Sequence, residues 1–336
     1  MTRFELNLSA NGYQARSLAS LIGRALLRRA TPGRRHDQSL PSPRDSEPVR
    51  RCRYRYAFAL LLAGLAFGAQ AELRLSLVRT SATTTLDAFT VAGGKWTQSA
   101  TANHVAVLIE HHAATLLFDT GLGRQVDRQF AEMPWHSRQL MQYGAVRPVR
   151  DQLQRDGIRV DRILLSHAHW DHASGLADFP EVPVWAPYAE IEFSRIAAPP
   201  AILPSQFEHG VRWVPYDFAP QPFLGFAESL DLFGDGALVL VPLRGHTPGS
   251  VGLFVTLEDG RRLFFTGDAS WRLEGFTGPR EKFWISRRLV DHDRVATTDV
   301  LQQVHRLMQQ QPELKVLPAH DSLAQQALPV YPQWLQ

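Results

Sequence analysis

The chain has 336 residues, of which 44% are hydrophobic and 21% are charged. This composition is typical of a folded globular protein, and it excludes a wholly disordered chain or one with many membrane spans. The net charge of +3 is unevenly spread, because residues 1–71 carry 12 Arg against 4 acidic residues, whereas the rest carries 24 bases against 29 acids. Since this larger part is acidic, the composition gives no support for nucleic-acid binding.

A basic segment followed by an apolar one precedes the main body of the chain. Four arginines at 50–55 come before an apolar run of 13 residues at 57–69, and Gln70 and Ala71 follow. A basic region, an apolar region and a small-x-small site, in this order, predict a cleaved secretory signal peptide. The run is shorter than the roughly 20 residues of a membrane-spanning helix. We therefore expect cleavage after Ala71, a periplasmic or secreted protein, and no stable membrane anchor.

The extension upstream of this segment leaves a second interpretation open. The first region of a signal peptide is normally short, whereas 48 residues precede Val49 here. Either translation starts near Val49 and the signal peptide covers about 49–71, or the extension stays attached and the protein is cytoplasmic. On both interpretations residues 1–71 form a leader outside the fold, and residues 72–336 are predicted to form a single domain. The one cysteine, Cys52, lies in the leader, so this domain has no cysteine metal ligand.

Short apolar runs of strand type alternate with helical segments from Glu72 onward. The predicted strands are Val105–Ile109, Thr115–Phe118, Arg162–Leu165, Ala237–Leu243, Val251–Thr256, Arg262–Phe265 and Leu314–Leu317. The predicted helices are Val149–Arg155, Tyr188–Arg195 and Thr297–Gln309. This alternation predicts a layered α/β domain with sheets inside and helices outside. Two aromatic-rich segments, 197–233 and 271–295, are predicted either to pack on the domain or to form a pocket wall.

Three histidines and an aspartate follow the predicted strand at 162–165. The sequence there is Ser166-His167-Ala168-His169-Trp170-Asp171-His172. Because residues two apart in an extended segment project to the same side, His167 and His169 can bind one metal ion. Asp171 and His172 follow where the chain turns into the next element, and they can face a second ion beside the first.

Three further candidate ligands also follow apolar strands. They are His246 in Gly-His-Thr-Pro-Gly, Asp268 in Thr-Gly-Asp, and His320 in Ala-His-Asp. If the strand ends meet at one edge of the sheets, these side chains join the first cluster and complete a set of five His and two Asp. That set is sufficient for two metal ions. The pair His111-His112, between two predicted strands, is interpreted as exposed turn residues.

From about residue 72 to 330 the sequence resembles the metallo-β-lactamase fold superfamily. The elements that carry the resemblance are Asp119-Thr120-Gly121, the cluster from His167 to His172, His246, Asp268 and His320. The resemblance implies a four-layer αββα sandwich, with Asp171 and Asp268 as catalytic residues and Asp119 as a support of the metal loop. It implies one metal on His167, His169 and His246, a second on Asp171, His172 and His320, and Asp268 as the bridge.

The predicted site has the chemistry of a hydrolase. Two adjacent cations lower the pKa of a shared water to near neutrality, which yields a hydroxide, and they polarise the carbonyl or phosphoryl oxygen of the substrate. Imidazole and carboxylate ligands suit zinc, which is the first expectation, and also iron or manganese. The oxygen-reducing di-iron branch of the superfamily typically has Glu where this chain has Ala168. We therefore expect two divalent ions, Zn²⁺ before Fe or Mn, and no redox chemistry.

Within the superfamily, the sequence is most similar to the N-acyl homoserine lactone lactonases. β-Lactamases of this fold generally lack the bridging aspartate, and thioesterases of the glyoxalase type usually have a second histidine where this chain has Ser250. The lactonases share Gly267–Ser270 and the terminal His320-Asp321. At the next position they typically have a tyrosine that polarises the substrate carbonyl, where this chain has Trp271. Trp271 is predicted to be either a substrate-binding pocket wall or an oxyanion donor.

The sequence therefore predicts a secreted dinuclear hydrolase that acts on a lactone, an ester or a related small carbonyl compound. A phosphoester or phosphotriester hydrolase and a β-lactam-hydrolysing enzyme are the alternatives on the same site, and a non-catalytic metal-binding protein is a more remote one. A phosphoryl substrate would require positive charge in the pocket. The candidates for that charge are Arg261, Arg262, Arg272, Arg280, Arg287 and Arg288.

Overall fold

The computed structural model describes residues 73–112 and 114–336 of the chain. The predicted leader, its cleavage site and Cys52 lie outside these residues, so the predicted export and the predicted domain start at residue 72 stay predictions. Within the described residues, no helix has both the length and the apolar character that crossing a membrane requires.

The first sheet has six strands in the order in which they follow one another along the chain. The pairs β1–β2 and β2–β3 are antiparallel, whereas β3, β4, β5 and β6 run parallel to one another. The strands are β1 Arg74–Leu86, β2 Ser99–His111, β3 Ala114–Phe118, β4 Arg162–Leu164, β5 Val184–Pro187 and β6 Trp213–Tyr216.

The second sheet has five strands in the order β11-β10-β9-β8-β7. Only β10 and β11 pair in parallel; the other neighbours are antiparallel, so β8, β10 and β11 all point the same way. The strands are β7 Leu230–Asp231, β8 Leu238–Pro242, β9 Val251–Thr256, β10 Arg262–Phe265 and β11 Lys315–Leu317.

Nine α-helical segments, several of a single turn, connect or cover the strands of the described chain. They are α1 Asp87–Thr90, α2 Val126–Phe130, α3 Trp135–Arg138, α4 Val149–Arg155, α5 Trp170–Ala173, α6 Tyr188–Ile196, α7 Glu274–Thr277, α8 Trp284–Val290 and α9 Arg294–Gln310. The longest, α9, buries Val300, Leu301, Val304 and Leu307, which lie three or four residues apart on one face.

Alternate side chains of the strands point into different apolar layers. Leu116 of β3 packs between the two sheets together with Leu253 of β9. Its neighbour Leu117 faces the other way and packs with Leu153 of α4, while Phe254 of β9 joins the layer that holds α9. Since each such buried side chain contributes about 1.5–3 kcal/mol, burial on both faces holds the four layers together. The order of helices, sheet, sheet and helices confirms the predicted αββα sandwich.

All the predicted strands and helices are present, and their bounds differ from the prediction for local reasons. α9 begins at Arg294, three residues before the prediction, because the Asp293 carboxylate accepts a hydrogen bond from the Ala296 amide and caps the first turn. β1 was not predicted, and β2 begins before Val105, because the polar half of β2 pairs with the threonine-rich half of β1. These polar residues carry no apolar alternation, which is the signal by which strands are recognised in a sequence.

The structure corrects the interpretation of the His111-His112 pair and gives different roles to the two aromatic-rich segments. The pair His111-His112 is not a pair of exposed turn residues, because His111 ends β2 and is 6% exposed. The segment 197–233 packs mainly on the apolar layers, while Pro200 and Ala201 also line the main pocket. The segment 271–295 contains α7 and α8 and contributes to the wall of the same pocket.

Candidate metal centre

All predicted ligands lie at one edge of the sandwich. Asp119 follows β3, the cluster from His167 to His172 follows β4, and the other ligands follow β8, β10 and β11. β3 and β4 of the first sheet point the same way, and so do β8, β10 and β11 of the second sheet. The apolar strands therefore carry the polar side chains to a common place, as the sequence predicts.

Three imidazoles form the first cluster. The ligand nitrogens of His167, His169 and His246 lie within 4.8 Å of one another, and the Nε2 atoms of His167 and His246 are 3.2 Å apart. Burial lowers the pKa of His169 to about 4 and holds the pKa of His167 and of His246 well below the ordinary value. The three rings are therefore neutral near neutral pH, which is the form that binds a metal ion.

Two carboxylates and two imidazoles form the second cluster. His320 Nε2 lies 3.2 Å from Asp171 Oδ2 and 3.1 Å from Asp268 Oδ2, and His172 Nε2 lies 3.3 Å from Asp268 Oδ1. Burial would lower the pKa of His320, but Asp268 and Asp171 outweigh it and raise that pKa to about 10. The carboxylates thus favour positive charge at this position, and a divalent ion would supply it in place of the imidazole protons.

Asp268 contacts both clusters. Its Oδ2 lies 3.7 Å from His246 Nε2 of the first cluster, and its Oδ1 faces His172 of the second. Burial would raise the pKa of this carboxyl, but His320 and His172 hold it well below the usual range. Asp268 is therefore an ionised acceptor between the two ligand sets, which is the position that a bridging ligand requires.

Unpaired buried atoms test whether these residues fit metal ions. Among the buried atoms without a hydrogen-bond partner in the described structure are His169 Nε2, His172 Nε2 and Asp268 Oδ1, the last two in ion-pair contact at 3.3 Å. Buried polar atoms in folded proteins almost always have a partner, and an unpaired one often indicates an ion or a water. All three atoms belong to the two clusters, so the donor set fits bound metal ions.

Asp119 makes the contacts that its predicted supporting role requires. Its Oδ1 accepts a hydrogen bond of 2.7 Å from the Ser166 amide, and its Oδ2 accepts one of 2.7 Å from the Ser166 hydroxyl. The same Oδ2 lies 2.8 Å from His172 Nδ1, so that Nε2 of this ring faces the cluster. Asp119 lies in the left-handed backbone region with a φ of 62°, held by this network.

Glu190 at the start of α6 joins the two loops of the first cluster. Its carboxylate accepts hydrogen bonds from the Ala168 amide (2.6 Å), the Thr247 hydroxyl (2.6 Å) and the Gly249 amide (3.0 Å). Burial raises the pKa of Glu190 to about 7 despite these donors. The side chain thus sets the separation of the loops that carry His167, His169 and His246.

A buried ion pair contacts the Nδ1 side of His246 and orients its ring. Its Nδ1 lies 2.7 Å from Asp291 Oδ1, which also accepts a hydrogen bond of 2.7 Å from Lys282 Nζ. The Lys282 and Asp291 side chains are each 1% exposed, so each charge compensates the other away from water. The contact at Nδ1 directs Nε2 of His246 toward the cluster, as carboxylates behind metal-binding imidazoles do.

A pocket opens above the second cluster. Its polar floor contains His169, Asp171, Asp268 and His320, together with His104, whose Nε2 lies 3.8 Å from Asp171 Oδ2. Its walls are mostly apolar and come from several segments: Phe89, Leu140, Met141, Pro200, Ala201, Trp271, Leu289 and Val290. The pocket therefore presents an apolar surface beside a group of metal-binding side chains.

Trp271 lines this pocket with its indole nitrogen engaged. Its Nε1 donates a hydrogen bond of 2.8 Å to Asp268 Oδ2, and its ring centroid lies 6.2 Å from that of His320. The N–H therefore points at the carboxylate and not into the pocket. This arrangement favours the pocket-wall interpretation over the oxyanion-donor one.

Four residues of this site were absent from the sequence prediction. His104 comes from a strand, Glu190 from a helix, and Lys282 and Asp291 from the two loops that flank α8. None of them has a spacing that relates it to a ligand, so only the folded chain shows them to be neighbours.

Comparison with known proteins agrees with the metal-ligand geometry. The family model for the metallo-beta-lactamase superfamily matches residues 101–320, a range that contains Asp119 and all seven predicted ligands. A probable metallo-hydrolase of Mycobacterium tuberculosis is 30% identical over 232 residues, which are 64% of this chain and 73% of that protein.

Two solved structures show the same fold. One is an N-acyl homoserine lactone hydrolase with N-hexanoyl-L-homoserine bound at its catalytic metal centre, with a TM-score of 0.63, 16% identity and coverage of 78% of this chain and 98% of that one. The other is a dizinc quorum-quenching lactonase, with a TM-score of 0.53, 16% identity and coverage of 78% and 90%. By the family match and the ligand geometry together, the chain belongs to the metallo-β-lactamase superfamily and is one of its metal-dependent hydrolases.

Proposed function

We propose that this protein is an exported dinuclear hydrolase that cleaves the ester bond of a lactone or an ester with an apolar substituent. The observation that carries the proposal is the position of Asp268, which contacts both ligand clusters at the floor of an apolar pocket. A carboxylate between two ligand sets supports two ions side by side, and zinc is the metal that this His and Asp set suits first.

Different residues of the chain have different roles in the proposed reaction. Two divalent ions held by the His and Asp clusters would supply a hydroxide near neutral pH and would polarise the oxygen of the group under attack. Asp268 and Asp171 hold the negative charge that keeps two cations together, while Asp119 and Asp291 orient His172 and His246. The apolar wall binds the substituent of the substrate and directs the carbonyl to the floor. His104 is a further polar side chain at the floor, with its Nε2 3.8 Å from Asp171 Oδ2.

The charge of the pocket supports a carbonyl substrate over a phosphate monoester or diester. Of the six candidate arginines, Arg272 lines the pocket, and its guanidinium lies 3.8 Å from Asp87, 3.3 Å from Glu274 and 3.6 Å from Asp321. Three carboxylates around one buried guanidinium compensate its charge, which leaves little attraction for an anionic phosphate. Neutral phosphotriesters and β-lactams are therefore the competing substrates to test.

We further propose that the mature protein starts at Glu72 and is periplasmic or secreted. The order of basic, apolar and small residues before Glu72 supports this. N-terminal sequencing of the protein from separated periplasm and cytoplasm of its native host is the measurement. The expected first residue is Glu72 in the periplasmic or secreted fraction, and an active cytoplasmic form that keeps its leader would contradict the proposal.

A substrate screen with the zinc-loaded protein tests the reaction. It should compare N-acyl lactones, aryl esters, phosphotriesters and β-lactams, and lactone or ester turnover should dominate. Asp268→Asn replaces the ionised carboxylate with a neutral, poorer ligand, so metal content should fall and activity should fall by about two orders of magnitude or more. Asp259→Asn, in the exposed hairpin between β9 and β10, is the matched control and should behave as wild type. Full turnover by Asp268→Asn would contradict the proposal.

The substitutions Trp271→Ala and Trp271→Phe distinguish a role of Trp271 as pocket wall from a role as oxyanion donor. Trp271→Ala removes a surface that ground and transition states both contact, so KM should rise about tenfold or more with a smaller change in kcat. Trp271→Phe keeps an aromatic wall but loses the hydrogen bond to Asp268, so kcat should fall less than about tenfold. Steady-state kinetics with metal analysis are the measurement. A kcat loss of about a hundredfold in Trp271→Phe, at unchanged KM and metal content, would instead indicate an oxyanion donor.

A further inference from the structure

We propose that His111, His112 and Asp235 form an additional binding site for a divalent transition-metal ion, separate from the hydrolytic centre. One ligand atom from each of these side chains lies within 4.8 Å of the other two. His111 Nε2 and His112 Nε2 lie 2.7 Å and 2.9 Å from the same atom, Asp235 Oδ2. Two imidazoles and a carboxylate that converge on one point are a donor set that zinc, cobalt, nickel and copper prefer.

The backbone of the turn after β2 brings the two histidines together. Consecutive residues of a strand project to opposite faces, so two adjacent histidines do not normally share a ligand. His112, however, has a φ of 53°, in the left-handed region, and its ring lies beside that of His111 with the centroids 3.8 Å apart. A residue other than glycine adopts this conformation at an energetic cost, which often indicates a functional constraint.

The loop between β7 and β8 holds the carboxylate in place. The Asp231 side chain accepts hydrogen bonds from the amides of Gly234 (2.9 Å) and Gly236 (2.8 Å), which folds the loop into a compact turn. Asp235 Oδ1 accepts a hydrogen bond of 2.9 Å from the Ala237 amide, so its Oδ2 is the atom that faces the imidazoles. Carboxylates that bind metal ions are commonly held by hydrogen bonds of this kind.

The surroundings leave room for an ion and for a further ligand. His111 is buried, whereas the side chains of His112 and Asp235 are 36% and 35% exposed, so the site is open to solvent on one side. Phe233 packs edge-on against the His111 ring at 4.9 Å, and the exposed Glu258 lines the same cavity. A bound ion would thus have three protein ligands, with water or Glu258 to complete its coordination.

The position of the site in the fold makes it independent of the hydrolytic centre. The histidines precede β3 and Asp235 precedes β8, whereas Asp119 and His246 follow these strands. The five residues of β3 alone span about 16 Å at the rise of an extended chain. An ion at this end would connect the β2–β3 turn of one sheet to the β7–β8 loop of the other, so it would stabilise the sandwich without taking part in hydrolysis.

Metal counting on matched variants tests the site. The purified protein is equilibrated with excess zinc, and the bound ions per chain are determined by elemental analysis for wild type, His112→Ala, Asp235→Asn and His136→Ala. His136 is an exposed histidine outside every His and Asp cluster of the described residues, so it serves as the control. We expect wild type and His136→Ala to bind the same number of ions. His112→Ala and Asp235→Asn should each bind about one ion fewer, with hydrolytic activity unchanged. This difference does not depend on how many ions the hydrolytic centre holds.

Thermal unfolding distinguishes a metal site from a clamp, in which Asp235 only forms hydrogen bonds with His111 and His112. Zinc added beyond the amount that saturates hydrolytic activity should raise the Tm of wild type and of His136→Ala, but not that of His112→Ala or Asp235→Asn, because a ligand bound only to the folded state stabilises it. Equal metal content in all four proteins, with a Tm loss in the two variants that is the same with and without zinc, would show a clamp only and overturn the proposal.

Discussion

Ionisable side chains are buried together at one edge of the sandwich, and their charges govern the structure of the candidate site. Asp171, His172, Asp268 and His320 are each at least nine-tenths buried, and removing such groups from water costs several kcal/mol per charge unless opposite charge compensates it. Apart from the Trp271 indole N–H that donates to Asp268, the two carboxylates face imidazoles. Cations bound among them would remove this cost, and the folding of this edge and the binding of metal would then be parts of one equilibrium.

The residues behind the ligands make the site rigid enough to be specific. Asp119 and Asp291 each contact the far nitrogen of one ligand imidazole, and Glu190 connects the loops that carry the first cluster. Lys282 then compensates the charge of Asp291 away from solvent. The ligands are thus held by side chains that come from helices and loops of different layers, which couples the packing of the sandwich to the geometry of the centre.

The chain order of the ligands was predictable, and their neighbours were not. His167 and His169 have a spacing with a direct geometric meaning, and the other ligands each follow an apolar strand, so the common edge follows from the fold class. Glu190 and Lys282 carry no such pattern, since a single charged residue in a helix or loop has no distinctive spacing. His111 looked like a turn residue, and only the left-handed backbone at His112 and the distant Asp235 show that the pair belongs to a cluster.

We propose that Asp268 holds two metal ions side by side. Anomalous X-ray diffraction from crystals of the zinc-loaded protein measures this directly, because it locates each zinc ion independently of the protein atoms. We expect two peaks about 3.5–4 Å apart, one beside His167, His169 and His246 and the other beside His172 and His320, with an Asp268 oxygen at each. A single peak at this edge, or two peaks that Asp268 does not contact, would contradict the proposal.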